Sequence, residues 1–239
     1  MPTQIERKKK EELNLLKRFI AVHGGGLQNM HIAESECPDF ILEENDRRIS
    51  IEVTAIVNPK VKQKESLQEK IVRKAKEKFN QHYLDELYVL VSFCHTPIVC
   101  KSNEIETYAN RLYDLVEHVY IKQGIKNKSS NHFYKEYFDD SFIDSIDITN
   151  DRFDHWQSFG AYLVYDAEAG WVKERILEKE KIMTKYASHF SENWLLLIAN
   201  LGDESSTQGF PFTDSLCPQT TFDRIFIYKY MDNRILIVK

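Results

Sequence analysis

The sequence of 239 residues lacks the patterns that mark disulfide-rich and zinc-binding proteins. Its four cysteines, Cys37, Cys94, Cys100 and Cys217, include no C-x-x-C pair. This spacing predicts reduced thiols in a cytoplasmic protein rather than a disulfide framework or a set of zinc ligands. The eight histidines show no H-x-x-x-H spacing, which argues against a histidine metal site.

Long apolar runs and an excess of positive charge are also missing. The longest apolar run, WLLLIANL at 194–201, is too short to cross a bilayer, so we expect no membrane association. The first 14 residues contain no apolar segment and do not resemble a signal peptide. The formal net charge of −5 excludes nucleic-acid binding driven by total charge, but it leaves room for a local basic surface.

What the sequence does contain is the hydrophobic pattern of an α/β protein. Helices are predicted at 5–22, 65–82, 103–122 and 171–187. Strands are predicted at 29–33, on both sides of Asn45-Asp46, and at 87–93, 142–148, 160–167 and 193–201, with a terminal hairpin around Asp232-Asn233. This order indicates a mixed central sheet flanked by helices.

The element order also predicts how the chain is divided. Residues 1–95 read as a core of helix, three strands, helix and strand, and residues 96–239 as an extension or insertion that completes the same single domain. The loop at 124–131 is a candidate boundary of an insertion. A lysine-rich helix followed by an apolar strand occurs twice, at 65–93 and at 171–201.

Two acids interrupt strand-like segments in CPDFILEENDRRISIEVTAIV, residues 37–57. A tight turn between Asn45 and Asp46 would pair residues whose numbers sum to 91, so that Asp39 faces Glu52. The apolar residues then share one face of the hairpin, which should pack on a helix layer. These residues are Phe40, Leu42, Ile49, Ile51 and Val53. A longer loop or a bulge would change this register.

Opposed like charges destabilise a sheet, so the Asp39/Glu52 pair needs a compensating partner. A divalent cation such as Mg²⁺ binds carboxylate oxygens and is often held by only one or two of them. A proton on one acid, or a lysine between the two, would serve as well.

Pro38-Asp39, the hairpin and Ile51-Glu52-Val53-Thr54 together resemble the PD-(D/E)XK nuclease superfamily. The resemblance covers about 90 residues and implies a restriction-endonuclease-like core with a C-terminal extension. It implies that Asp39 and Glu52 bind Mg²⁺ or Mn²⁺, with Glu12 of the first helix near the metal. Thr54 stands where the family has its catalytic lysine.

A threonine hydroxyl cannot supply positive charge, so a replacement lysine is expected from a helix. Lys70 and Lys74 are the candidates on the helix at 65–82. If the later helix belongs to the core, Lys179 or Lys181 takes this role.

The resemblance implies a metal-dependent nuclease that hydrolyses phosphodiester bonds in DNA, with RNA as the alternative substrate. Thr54 favours a second hypothesis, a catalytically inactive nuclease-fold protein that binds nucleic acid or another protein. In a third, the two acids form a buried salt-bridge network with Lys70 or Lys74. The sequence leaves the oligomeric state open.

Residues 60–78 contain eight Lys or Arg and three Glu, a local net charge of +5. Lys60, Lys62, Lys64 and Arg73 are the predicted contacts to a phosphate backbone beside the metal site. The alternative interpretation is the solvated face of an amphipathic helix.

Overall fold

The computed structural model describes residues 4–94, 101, 103–125, 133–150, 154–159, 164–186, 189–211 and 219–239. The α-helices in these ranges are α1 (Gln4–His23), α2 (Pro59–His82), α3 (Ile105–Lys122) and α4 (Ala169–Met183), and Leu27–Asn29 forms a short 3₁₀ helix. The strands are β1 (His31–Glu34), β2 (Phe40–Glu44), β3 (Arg47–Ala55), β4 (Tyr88–Phe93), β5 (Tyr134–Tyr137), β6 (Ile143–Thr149), β7 (His155–Phe159), β8 (Glu192–Ala199), β9 (Arg224–Lys229) and β10 (Arg234–Ile237).

The chain divides into two compact units. The first unit combines Met1–Pro59 with Leu163–Lys239, and the second unit is Lys60–Tyr162. The first contains a six-stranded sheet in the order β1-β2-β3-β8-β9-β10, and the second a four-stranded sheet in the order β5-β6-β4-β7. Both sheets mix parallel and antiparallel pairs. The predicted α/β class, with mixed sheets flanked by helices, is confirmed.

In the first unit, α1 and α4 cover opposite faces of the six-stranded sheet. On α1, Leu16, Phe19 and Ile20 recur at helical spacing and pack into a buried cluster with Ile51 and Val53. On α4, Val172 and Ile176 pack into a second buried cluster with Leu195 and Leu197 of β8. Consecutive residues of β3 and β8 therefore alternate between the α1 layer and the α4 layer.

The β2-β3 hairpin has the register predicted from the sequence. Phe40 pairs with Ile51 and Glu44 with Arg47. Asn45 takes a φ of 53° at the turn, in the left-handed region that asparagine tolerates better than most residues. The predicted apolar face is buried in the α1 layer, so Asp39 and Glu52 lie on the opposite face of the hairpin.

In the second unit, α2 and α3 pack on the four-stranded sheet around one buried cluster. Ile71 and Phe79 of α2 and Leu112 of α3 contact this cluster, together with Val89 of β4 and Ile146 of β6. The lysines of α2 lie on the faces of the helix that do not pack against this cluster. The helix begins at Pro59, six residues before the predicted start, because proline is well suited to the first helical position.

The division expected at residue 95 differs from the observed one. The strand predicted as the fourth of the core, β4, belongs to the four-stranded sheet, and β8 is the parallel neighbour of β3. A strand with parallel neighbours and helices on both faces is buried on both sides, and six consecutive residues of β8 are buried. In β4, buried and half-buried residues alternate. The helix that precedes the neighbour of β3 is consequently α4.

One smaller expectation also needs correction. Residues 164–167 contain no strand, and 160–163 lie outside the described residues. The strand in this region is β7, which ends at Phe159 and pairs in parallel with β4.

No helix among the described residues is both long and apolar enough to span a membrane. Cys37 and Cys94 are free thiols, and Cys100 and Cys217 fall outside the described ranges.

Candidate active site

Glu52 lies in the middle of β3, on the face of the sheet that α4 covers. Its partner in β8 is Leu195, which is buried in the α4 cluster. Glu52 is only 1% exposed, an unusual place for a carboxylate. Asp39 directly precedes β2, and its Oδ2 accepts a hydrogen bond from the backbone N–H of Val53, 2.9 Å away. The hairpin therefore brings the two acids to one region, as the register predicted.

One ammonium group joins the two carboxylates. The Nζ atom of Lys179 lies 2.6 Å from Oε2 of Glu52 and 3.2 Å from Oδ2 of Asp39. The Lys179 side chain is 17% exposed, so this ion pair is largely removed from water. A positive charge in this position offsets the repulsion between the opposed acids.

The sequence of α4 explains why Lys179 reaches the sheet. Val172 and Ile176 are buried, and Met183 packs against the same cluster. Lys179 follows Ile176 by three residues and therefore lies on the same face of the helix. A lysine in this apolar stripe has a mostly buried side chain, and its charged end meets Asp39 and Glu52.

Tyr186 is the second hydrogen-bond partner of the Glu52 carboxylate. Its hydroxyl donates a hydrogen bond to Oε1 of Glu52 at 3.0 Å, so each oxygen of this carboxylate has a partner. Tyr186 follows the end of α4 at Met183, whereas the sequence predicts a helix through residue 187. Sequence reasoning missed this residue, because a tyrosine after a helix belongs to no motif.

The surroundings shift the pKa values of all three side chains that meet at Glu52. Burial raises the pKa of Glu52, and the hydrogen bond from Lys179 only partly offsets this effect. Burial alone would lower the pKa of Lys179, but the negative charges and hydrogen bonds of Asp39 and Glu52 outweigh burial and raise it. Burial and the nearby charge of Glu52 raise the pKa of Tyr186, which keeps its hydroxyl protonated.

The first helix contributes two further charged residues. Burial raises the pKa of Glu12, and the negative charge of Asp39 raises it further. The predicted third acid is therefore within electrostatic reach of Asp39. Nζ of Lys9 donates to the backbone carbonyls of Ser35, at 2.6 Å, and Asp39, at 2.7 Å. These bonds fix the loop that presents Asp39.

The lysine that meets the acids is not one of the first candidates. Lys70 and Lys74 lie on α2 in the second unit, and Lys74 pairs with Glu106 at 2.6 Å. Lys179, the alternative from the later helix, takes the position instead, because α4 is the helix that packs on β3 and β8. Lys181 is exposed and forms no ion pair with a described residue.

Thr54 lies two residues after Glu52 on the same face of β3. It is half-buried, and its register partner in β8 is Leu197. No hydrogen bond joins its hydroxyl to a described residue, so its predicted catalytic role receives no support from a contact.

The predicted phosphate contacts lie on α2. Lys62 forms an ion pair with Glu65 at 3.1 Å, and Arg73 with Glu77 at 3.8 Å. Lys60 and Lys64 are in the first two turns of the same helix. Their role in binding nucleic acid stays a prediction.

The oxygen donors at this site are of the kind that Mg²⁺ and Mn²⁺ prefer. Among described residues, Oδ1 of Asp39 accepts no hydrogen bond, so it is a free carboxylate oxygen beside the ion pair. Both oxygens of Glu52 have partners, and one is Lys179. No group of three or more His, Cys, Asp or Glu side chains suited to a metal occurs in the described part of the chain. Asp39 and Glu52 are therefore the described carboxylates that could ligate a cation here, beside the ammonium of Lys179.

Comparisons with protein-family models, with curated proteins and with solved structures found no match to this chain.

Proposed function

We propose that this chain is a metal-dependent nuclease of the PD-(D/E)XK type that hydrolyses phosphodiester bonds in DNA. The observation that supports the proposal is the convergence of Asp39, Glu52 and Lys179 on one point. Two acids and a lysine are the side chains that the motif requires. Here the lysine comes from α4 rather than from position 54 of β3.

In this proposal Asp39 and Glu52 hold Mg²⁺ or Mn²⁺. A cation bound there supplies positive charge that stabilises the negative charge developing on the phosphate. Glu12 adds negative charge near Asp39 and so favours cation binding from the first helix.

Lys179 supplies the second positive charge. Its ammonium has three N–H donors, and two of its contacts are Glu52 and Asp39. The third donor can bind a phosphate oxygen of the substrate. Hydrolysis forms a bond between a water oxygen and phosphorus and breaks one P–O ester bond, and a fixed ammonium stabilises the extra charge in the transition state.

The basic segment of α2 is the proposed contact to the nucleic-acid backbone. Lys60, Lys62, Lys64 and Arg73 contribute to a local net charge of +5 in an acidic protein. Backbone contacts of this kind do not distinguish DNA from RNA, so RNA stays a second substrate class. The free thiols of Cys37 and Cys94 agree with action in the cytoplasm.

A cleavage assay tests the catalytic proposal. Wild type should cleave plasmid or linear DNA in Mg²⁺ or Mn²⁺, and Asp39→Asn, Glu52→Gln and Lys179→Met should each lose about 100-fold or more of the rate. Glu43→Gln is the matched control, because Glu43 is a β2 carboxylate that pairs with Arg48 outside the site. Cleavage that survives in all three site variants removes these residues from the mechanism.

A second candidate function is a catalytically inactive protein of this kind that binds nucleic acid or another protein. The observation that favours it is the complete pairing of Glu52, whose two oxygens are bonded to Lys179 and Tyr186. The same contacts are expected of an ion pair that only stabilises the fold. DNA binding that weakens steeply with salt, without cleavage in any divalent metal, selects this function.

A further inference from the structure

Tyr186 has a hydrogen bond that the proposed chemistry does not itself require. The phenol donates to Oε1 of Glu52, which is the oxygen opposite to the one that faces Lys179. The terminal torsion of a glutamate side chain is broad, so a carboxylate with one partner can rotate. Two partners on opposite oxygens restrict that rotation.

We propose that Tyr186 is a positioning residue, which holds the Glu52 carboxylate with Oε2 directed toward Lys179 and Asp39 as a cation ligand. This inference depends on the proposed function, since it concerns the same site. Tyr186 does not touch the reacting atoms and acts through Glu52.

The surroundings of Tyr186 keep its ring in place. The ring makes an edge-to-face contact with Phe190, with centroids 5.7 Å apart, and Arg48 lies over the Phe190 ring at 5.2 Å. The hydroxyl of Ser50, two residues before Glu52 on the same face of β3, donates to Oδ1 of Asn193 at 2.7 Å and lies near the phenol. The phenol is therefore held between β3 and the segment after α4.

Residues that hydrogen-bond a metal ligand tune metal affinity. Removing such a partner typically weakens metal binding by roughly 10- to 100-fold. Tyr186→Phe removes only the hydroxyl and keeps the ring contact with Phe190. We expect it to reduce Mg²⁺ affinity about tenfold or more, with cleavage recovered at saturating Mg²⁺.

The chain offers a matched control. Tyr120 in the second unit donates to Oδ2 of Asp85 at 2.6 Å, which is also a tyrosine-to-carboxylate bond. Tyr120→Phe should lose stability like any such variant but keep the wild-type Mg²⁺ affinity.

The experiment is a titration of the melting temperature with Mg²⁺ for wild type, Tyr186→Phe and Tyr120→Phe, alongside cleavage rates at limiting and saturating Mg²⁺. A bound cation raises the melting temperature through linkage. The proposal expects the midpoint for Tyr186→Phe to lie at about tenfold higher Mg²⁺ or more, and that for Tyr120→Phe to equal wild type. A Tyr186→Phe protein with a lower metal-free melting temperature but an unchanged midpoint overturns it, because Tyr186 is then only structural. If wild type shows neither a Mg²⁺-dependent rise nor cleavage, the proposed function itself fails.

Discussion

Two helices of this chain are rich in lysine and lead into an apolar strand, yet their lysines have different surroundings. On α2, Lys74 pairs with Glu106, with exposed side-chain fractions of 41% and 62%. On α4, Lys179 meets Glu52, with fractions of 17% and 2%. The two ammonium-to-carboxylate distances are the same, 2.6 Å. Burial of the partners, not the density of lysine or the length of the bond, therefore distinguishes a candidate site from a surface ion pair.

The largest expected effect comes from removing the ammonium of Lys179, and the matching variant at Lys74 provides the comparison. Lys179→Met leaves two carboxylates near each other without a countercharge, so we expect a loss of about 3 kcal/mol in the free energy of unfolding. Lys74→Met should cost less than about 1 kcal/mol, because exposed ion pairs contribute little. Urea denaturation of both variants measures the difference. Equal losses would show that the two lysines are energetically alike and would break the comparison.

A second ammonium in the first unit sharpens the same contrast. Lys9→Met removes two hydrogen bonds to the carbonyls of Ser35 and Asp39, and we expect a loss of about 1–2 kcal/mol. Its neighbour Lys8 is 75% exposed and pairs with Glu12 across one turn, so Lys8→Met should cost about 0.5 kcal/mol or less. Chemical denaturation compares the two. If Lys8→Met loses as much unfolding free energy as Lys9→Met, the hydrogen bonds of Lys9 do not stabilise the loop that presents Asp39.

The lysines in the first two turns of α2 should matter for binding rather than for stability. In Lys60→Ala/Lys64→Ala we expect weaker DNA binding and a shallower dependence of log K on log salt, by about 0.9 for each lost phosphate contact. Lys122→Ala/Lys135→Ala removes the same charge from α3 and β5, outside the basic segment, and should leave the salt slope unchanged. Fluorescence anisotropy over a range of salt concentrations measures both slopes. Identical slopes for the two double variants assign the basic segment to a solvated helix face.

The smallest expected effect concerns how stability depends on pH. This dependence should have opposite signs for Glu52 in the first unit and Glu136 in the second. Burial raises the pKa of Glu52, so its contribution to stability is complete below its ordinary value of 4.5 and is lost as the pH rises through the raised pKa. The hydrogen bond from Lys122 lowers the pKa of Glu136, so its contribution is present above 4.5 and is lost as the pH falls through the lowered pKa.

Thermal unfolding of Glu52→Gln, Glu136→Gln and wild type across acid and neutral pH tests these opposite signs. The stability of wild type relative to Glu52→Gln should fall as the pH rises above 4.5. Relative to Glu136→Gln it should rise with pH in the acid range. Two differences with the same sign contradict the contrast between a buried and a surface carboxylate.

Local patterns were enough to predict much of the first unit. Alternating apolar residues and the Asn45 turn determine the hairpin register, and that register brings Asp39 to Glu52. The same reasoning could not select the lysine, because the choice between α2 and α4 depends on which strand pairs with β3. Nearly 140 residues separate β3 from β8, and no local signal reports that pairing. The repeated pattern of lysine-rich helix and apolar strand at 171–201 was the available clue.

Other features were missed for physical reasons of the same kind. β5 and β7 have four and five residues, too few for a clear alternation of apolar and polar side chains. Tyr186 reaches Glu52 only because α4 ends at Met183 and the chain turns toward the sheet. The end of a helix is a weak sequence signal, and a contact that depends on it is weaker still.

The claim on which the site depends is that Asp39 and Glu52 share one point at which a divalent cation can bind beside Lys179. Anomalous diffraction from crystals soaked in Mn²⁺ tests it most directly. The prediction is a peak within about 2.5 Å of an oxygen of each carboxylate. Density for Lys179 alone between the two acids, with Mn²⁺ absent or bound elsewhere, would contradict it.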